Sequence, residues 1–335
     1  MKIITSFSDI DKTAKQACVA LGNFDGMHKG HQHILSHVEF MAKRFKSPTG
    51  LVTFSPHPRN YFETNAEPFL LTTEMQKTYI AESLGVMILY RIPFTSALTA
   101  MSPKEFIEQV LVDQLNVRSI TVGENFRFGK ERLGTVETLK QFGSKMNFSV
   151  YTIPNHTLDD GQVCSSTKIR NALRMHEPEK AAAFLGRWHS IEGVVQKGEM
   201  RGTSIGFPTA NLSIEHTIIP GFGVYAVLFT ILDGPQKGTY KAVANLGTCP
   251  TFSRNRTVLE VHIPEFSKDI YGCPVSVALC HFLREEKKFL SVESLISQLH
   301  KDTEQAITSL TRNTFQKYQQ FFDTHFIAED CRSSS

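Results

Sequence analysis

Up to about residue 155, short apolar runs alternate with longer stretches whose apolar positions recur at helical spacing. Residues 17–21 (ACVAL) form an apolar strand-like run, and 30–45 follow with Ile34, Leu35, Val38 and Met41 on one helical face. The pattern predicts strands at 50–54, 86–92, 119–122 and 148–153, and a helix at 74–84. Ser102, Pro103 and Glu105 predict a helix start, with Ser102 as cap, Pro103 in the first turn and Glu105 completing a capping box. Strands alternating with helices predict a parallel α/β sheet, whose ligands sit beyond the carboxyl ends of the strands.

The texture changes after residue 186. Residues 191–195, 223–230, 240–245, 258–263 and 275–282 are strand-like and separated by Gly, Pro and Asn turns, a pattern that predicts an antiparallel sheet or small barrel. Residues 291–322 predict a C-terminal helix, and 177–187 the junction. The fold class is therefore α/β followed by β. With 335 residues each part can bury its own core, and the expected domains are 1–184 and 187–325.

Composition narrows the chemistry. A net charge of +3 gives no support for a general nucleic-acid surface, so any phosphate chemistry falls to local sites. The six cysteines are scattered, with no CxxC pair and no zinc spacing, and read as reduced thiols. Charges near the N-terminus and no long apolar segment predict a cytoplasmic protein with no membrane and no nucleic-acid partner.

The stretch GNFDGMHKGH (22–31) lies between a predicted strand and a predicted helix. Gly22, Gly26 and Gly30 let backbone approach a ligand, and the helix start offers free N–H groups to phosphate. His28 and His31 can aim imidazole donors at the same oxygens. A helix dipole contributes only ~0.3–1 kcal/mol at an exposed end. Preorganised donors at developing charge supply ~10²–10³ in rate each, so the histidines carry the larger share. TFSPHP (53–58) and GENFRFG (123–129) end later strands, and SSTKIR (165–170) opens a helix. Taken singly, Phe54, Phe126 or His57 fits ordinary packing as well as ligand binding.

The HxGH spacing resembles the nucleotidyltransferase superfamily. The four segments in order resemble the adenylyltransferase module of bacterial bifunctional riboflavin kinase/FAD synthetases. That resemblance implies a Rossmann-like nucleotidyltransferase domain that converts FMN and ATP into FAD and pyrophosphate. It implies ATP contacts from Gly22, Asn23, Phe24, Gly26, His28, His31, Ser165, Ser166, Thr167 and Arg170, with Asn23 near the transferred phosphate and with His28, His31 and Asn23 catalytic. It places Phe54, Pro56, His57, Pro58, Asn125, Phe126 and Arg127 on the flavin side. The attacking FMN phosphate is already anionic, so positioning and charge neutralisation suffice.

The second half has no GxxxxGK[ST] motif. Its informative segment is KGEMRGTSIGFPTAN (197–211), in which Thr209 and Asn211 offer neutral oxygens suited to hydrated Mg²⁺ beside phosphates. By itself PTAN reads as a turn. With GVYA (223–226), NLGT (245–248), LEVH (259–262) and LREEKKF (283–289) it is similar to the riboflavin kinase module of the same family, a small β-barrel with a C-terminal helix. The resemblance implies ATP and Mg²⁺ contacts from Gly198, Gly206, Pro208, Thr209 and Asn211, with Thr209 and Asn211 on the metal. It implies riboflavin contacts from Glu260, Arg284 and Phe289, with Glu260 as base for the primary hydroxyl. Cys249 and Thr203 depart from the family pattern at positions usually basic. The expected protein is a bifunctional enzyme acting on riboflavin, FMN, FAD and ATP as a monomer or weak homo-oligomer. The alternative keeps only FAD synthesis, with the second domain a flavin-binding module.

Overall fold

The computed structural model describes residues 1–63, 67–198, 201–214, 216–250, 255–315 and 318. The chain divides into two compact units, 1–67 with 74–165, and 68–73 with 166–335.

In the first unit the elements are β1 (Lys2–Ile4), β2 (Cys18–Leu21), α1 (Lys29–Phe45), β3 (Thr49–Ser55), α2 (Pro58–Phe62), α3 (Glu74–Ser83) and β4 (Ile88–Pro93). There follow α4 (Ser96–Ala100), α5 (Pro103–Glu105) running on as a π-helical segment Phe106–Gln114, β5 (Ser119–Gly123), α6 (Val136–Met146) and β6 (Ser149–Ile153). The strands form a parallel sheet in the order β1-β4-β3-β2-β5-β6. The chain builds outward from β2 on one side and then returns to its other side, so the switch point lies between β2 and β5, where a doubly wound sheet binds ligands. Central β2 is buried throughout because both faces are covered, which is why its sequence is continuously apolar. Val19, Leu21, Val52, Ile107, Leu111, Ile120 and Val122 join one core. The predicted capping box at Ser102 and Glu105 is formed, with bonds of 2.7 and 3.2 Å.

The second unit opens with α7 (Ser166–Arg174) and α8 (Pro178–Leu185). Helix α8 fills most of the stretch read as a junction; Pro178 in its first turn and left-handed Gly186 just past its end are ordinary boundary signals. Then come β7 (His189–Val194), α9 (Arg201–Ser204), β8 (Ala210–Ser213), β9 (Gly223–Ile231), β10 (Gly238–Pro250), β11 (Asn255–His262), β12 (Pro274–Arg284) and α10 (Val292–Ser309). The antiparallel order is β7-β12-β9-β10-β11-β8. Beyond β7, the Gln196 amide donates to Asn211 O at 2.9 Å, so the sheet nearly closes into a barrel. Strand β9 is buried on both faces. Tyr225, Val227 and Phe229 fill the barrel, while Val224, Ala226 and Leu228 pack with Ala306 and Leu310 of the C-terminal region.

The C-terminal helix is shorter than the 291–322 expected. It stops at Ser309, because Leu310 turns inward with non-helical backbone and Thr311 caps a new turn through the Thr314 amide at 3.2 Å. Residues 316–317 and 319–322 of that expectation lie outside the described residues.

Candidate functional site

Strand β2 delivers residues 22–28 to the carboxyl edge of the parallel sheet. Phe24, Gly26 and Met27 all adopt left-handed backbone, and the side chains of Phe24, Asp25 and Met27 are buried, which holds this unusual turn in one shape. Thr53 Oγ1 on β3 donates to Asn23 O at 3.0 Å, and Gln32 Nε2 on α1 donates to Met27 O at 2.9 Å. Two glycines of the turn sit close to its rings. A Cβ on Gly22 would stand 3.2 Å from the Phe24 ring, and one on Gly30 would stand 3.1 Å from the His28 ring.

His28 is the N-cap of α1: the His31 amide donates to its Nδ1 at 3.3 Å. The two imidazoles stack at 3.7 Å with an interplanar angle of 16°. On its other side His31 meets the Phe24 ring at 4.6 Å. Burial first, then repulsion by His28 and Lys77, holds His31 well below the ordinary histidine range and hence neutral near pH 7. Two stacked imidazoles stand at a helix N-terminus, a place that attracts phosphate.

The flavin-side expectations fall on an aromatic chain. Phe54 at the end of β3 meets Phe94 edge to face at 5.8 Å and Phe106 at 6.4 Å. Phe106 reaches Phe128 at 5.6 Å, and Phe128 stacks on Phe126 at 5.7 Å. Ring contacts thus link the loops after β3 and β5. Sequence reasoning missed Tyr61, Phe62 and Phe94, which pack edge to face at 5.3–5.9 Å. Phe62 is 68% exposed, an open aromatic beside the predicted ones. The RNYF run at 59–62 carried that signal. His57 caps α2 by accepting from the Arg59 amide at 3.1 Å, Pro58 starts that helix, and Asn125 and Arg127 are exposed.

Ser165 ends the first unit, and Ser166, Thr167 and Arg170 lie on α7 of the second. Arg170 Nε donates to Phe69 O at 2.7 Å with its guanidinium over the Phe69 ring, so this residue also anchors the 68–73 segment.

In the barrel three polar residues line up across neighbouring strands. Asn211 on β8 is register partner of Glu260 on β11, which is register partner of Asn245 on β10. Their strand neighbours Ala210, Leu212, Leu259, Val261, Ala244 and Leu246 point into the core, so alternation sends the three polar side chains outward. Asn211 Nδ2 lies 3.3 Å from Thr209 O and 3.5 Å from its Oγ1. Gly198 lies against this pair; a Cβ there would be 2.5 Å from Asn211 Nδ2. Asn245 Nδ2 donates to Glu286 Oε1 at 3.5 Å. Pro208 O pairs with His262 Nδ1 at 2.9 Å, and Gly206 adopts a left-handed turn.

Glu260 is exposed. Arg284 is engaged elsewhere: Nε and Nη2 donate to the buried Asp302 carboxylate at 2.7–3.1 Å, and its guanidinium lies 5.9 Å from the Phe289 ring centroid. The departures at Thr203 and Cys249 fall on side chains outside the described set.

Two family models match in tandem, FAD synthetase over residues 10–167 and riboflavin kinase over 185–310. The bifunctional riboflavin kinase/FMN adenylyltransferase of Haemophilus influenzae is 35% identical, over 91% of this chain and 98% of its own length. Its namesake from Bacillus subtilis is 33% identical over 89% and 94%. A solved structure described as a macrolide-efflux protein from Streptococcus pneumoniae is 31% identical, covers 93% of this chain and 98% of its own, and superposes with a TM-score of 0.79. Among the described residues of the present chain no helix is long and apolar enough to cross a membrane. Both modules being matched favours a working kinase over a passive flavin-binding domain.

Proposed function

The chain belongs to the bifunctional riboflavin kinase/FMN adenylyltransferase family, and from that premise we propose which side chains carry each reaction. It phosphorylates riboflavin to FMN with ATP, and adenylylates FMN to FAD with release of pyrophosphate. The observation that carries the assignment of the second reaction is the His28–His31 pair, stacked at 3.7 Å at the carboxyl end of β2.

In adenylyl transfer an FMN phosphate oxygen bonds to the α-phosphorus of ATP as the α–β bridging bond breaks. His28 accepts at Nδ1, so its neutral ring carries the proton on Nε2 and presents a donor to phosphate. His31 adds a second donor, Asn23 lies by the transferred phosphate, and Gly22, Phe24, Gly26, Ser165, Ser166, Thr167 and Arg170 complete the nucleotide contacts. Phe54, Pro56, His57, Pro58, Asn125, Phe126 and Arg127 form the flavin side. Charge stabilisation by fixed donors accounts for the rate without a general base.

In the kinase Glu260 orients the riboflavin hydroxyl and accepts its proton late. A free glutamate has a pKa of ~4.3, too low to deprotonate an alcohol in the ground state, and a dissociative transition state does not demand it. The donor set fits Mg²⁺ by its chemistry: Thr209 Oγ1 and Asn211 Oδ1 are neutral oxygens on side chains that approach each other, Asn211 Nδ2 lying 3.5 Å from Thr209 Oγ1, and Gly198 packs closely on Asn211 where a Cβ would displace its amide. Thr209 and Asn211 would hold the ion, which when bound supplies neutralisation of phosphate charge. Gly206 and Pro208 shape the nucleotide loop, and Arg284 and Phe289 border the riboflavin side.

The functional halves are 1–184 and 187–325, acting in the cytoplasm as a monomer or weak homo-oligomer. Incubating the protein with riboflavin, ATP and Mg²⁺ while following FMN and FAD separately tests the whole scheme. FMN should appear first and FAD after it; FAD from supplied FMN but none from riboflavin would remove the kinase assignment.

A further inference from the structure

Arg170 is held by a segment that none of the sequence motifs includes. Residues 68–73 lie between α2 and α3 in the chain, yet they belong to the second unit. Leu70 forms a parallel bridge with Thr217, in which the Ile218 amide donates to Leu70 O at 2.8 Å. Phe69 and Leu71 are 2% and 1% exposed, so apolar burial seats the segment as well as its backbone bond.

Phe69 meets Arg170 in two ways. Its carbonyl accepts from Arg170 Nε at 2.7 Å, and the guanidinium lies over its ring with Cζ 5.0 Å from the centroid. A guanidinium is flat and presents its donors in a rigid fork. Fixing its Nε edge and one of its faces therefore fixes where the terminal nitrogens point. Arg170 is carried by α7, one turn after Ser166 and Thr167, and neighbouring Ile169 and Leu173 are buried, so its backbone is fixed as well. An arginine already held in place loses little freedom when it meets a ligand, and that saving appears as affinity. The carbonyl contact is a main-chain bond that any residue at position 69 could make. The ring face requires an aromatic side chain, and substitution can remove it.

We propose that Phe69 is a positioning residue for adenylyl transfer, acting through Arg170: its ring holds the guanidinium in the orientation in which the fork meets the ATP phosphates, before the nucleotide arrives. The proposal rests on the reading of Arg170 as a phosphate contact. Its signature is a dependence on the electron density of the ring face at constant shape, which a space-filling phenylalanine would not show.

The test uses the full chain, with kcat/KM for ATP measured during FAD formation from supplied FMN. Phe69→Leu keeps the carbonyl and an apolar side chain but removes the ring, and should lower kcat/KM by about 5- to 20-fold, chiefly through KM. On an Arg170→Gln background the same substitution should change kcat/KM by less than about twofold, because the group it acts through is gone. Fluorinated phenylalanines placed at position 69, with one, two and then three fluorines, weaken the negative ring face with little change in size. Along that series kcat/KM should fall stepwise. Riboflavin phosphorylation, measured on the same samples, reports that the second unit is folded. No loss in Phe69→Leu, an equal loss with and without Arg170, or a flat fluorinated series would overturn the proposal. If Phe69→Leu loses riboflavin phosphorylation too, the fluorinated series decides: a stepwise fall supports the proposal and a flat series overturns it. Wild-type kcat/KM in Arg170→Gln would instead remove the phosphate-contact reading, an outcome distinct from failure of Phe69 alone.

Discussion

His28 caps the helix on which His31 sits: the His31 amide donates to His28 Nδ1 at 3.3 Å while the two rings stack at 3.7 Å. One contact therefore does two things. It satisfies an amide that a helix start would leave without a partner, and in a neutral ring it leaves the His28 proton on Nε2, the tautomer that the proposed phosphate contact requires.

The two roles separate by substitution. His28→Ala should cost ~1 kcal/mol of stability through the lost cap and lower FAD formation from FMN about 10²-fold or more. His28→Asn keeps a good capping residue, so its melting temperature should stay near wild type while FAD formation remains about 10²-fold down. Riboflavin phosphorylation should persist in both. Recovery of FAD formation by Asn would show that the cap alone matters.

Gly198→Ala probes the barrel site in the same way. The new methyl would come within 2.5 Å of Asn211 Nδ2 and 2.7 Å of its Oδ1, so the amide must move. A displacement near 1 Å at a positioning group can cost about 10²-fold in rate. FMN formation should fall by about 10- to 100-fold while FAD formation from supplied FMN stays within about twofold. Steady-state rates of the two half-reactions on one preparation check this.

Much of this was legible in the sequence wherever local signals and tertiary packing agree. ACVAL was readable as a central strand because burial on both faces leaves no polar position, and Ser102 with Glu105 announced a cap that requires only local geometry. The glycines and histidines of residues 22–31 were readable because the loop's chemistry is contiguous. Phe62, Phe69 and Phe94 were not. Their meaning comes from rings and charges brought together across the fold, and an aromatic in isolation looks like packing. Arg284 illustrates the converse: its motif points to ligand, yet its strongest bonds go to Asp302, 18 residues later on α10.

That ion pair should carry considerable stability. Asp302 is 1% exposed, accepts two bonds from Arg284 Nε and one from Nη2, and also accepts from Gln298 Nε2 at 2.8 Å. Removing one partner of such a buried pair leaves the other charge uncompensated, at a cost of ~3–5 kcal/mol. Asp302→Asn should destabilise the second unit by that order, and replacing both residues by apolar ones should cost less. Trp188, the one tryptophan of the chain, lies in that unit, and its fluorescence during urea unfolding gives the measurement.

The same tryptophan precedes His189, whose titration should contribute to the acid sensitivity of this unit. His189 is buried on β7, its Nε2 has no hydrogen-bond partner among the described residues, and burial followed by repulsion from Arg187 pushes it down to about 3. In the unfolded chain it titrates near 6.5. Between those values the unfolded state holds the extra proton, so stability is fully present above about pH 6.5 and falls as pH drops toward 3, by ~1.4 kcal/mol per unit from this group. His189→Gln is neutral at every pH and should remove that share of the slope whatever its effect on stability at pH 7. Urea midpoints by Trp188 fluorescence at pH 7, 6, 5 and 4.5 compare the two proteins. Parallel slopes would show that His189 is protonated in the folded state or that other groups govern acid unfolding.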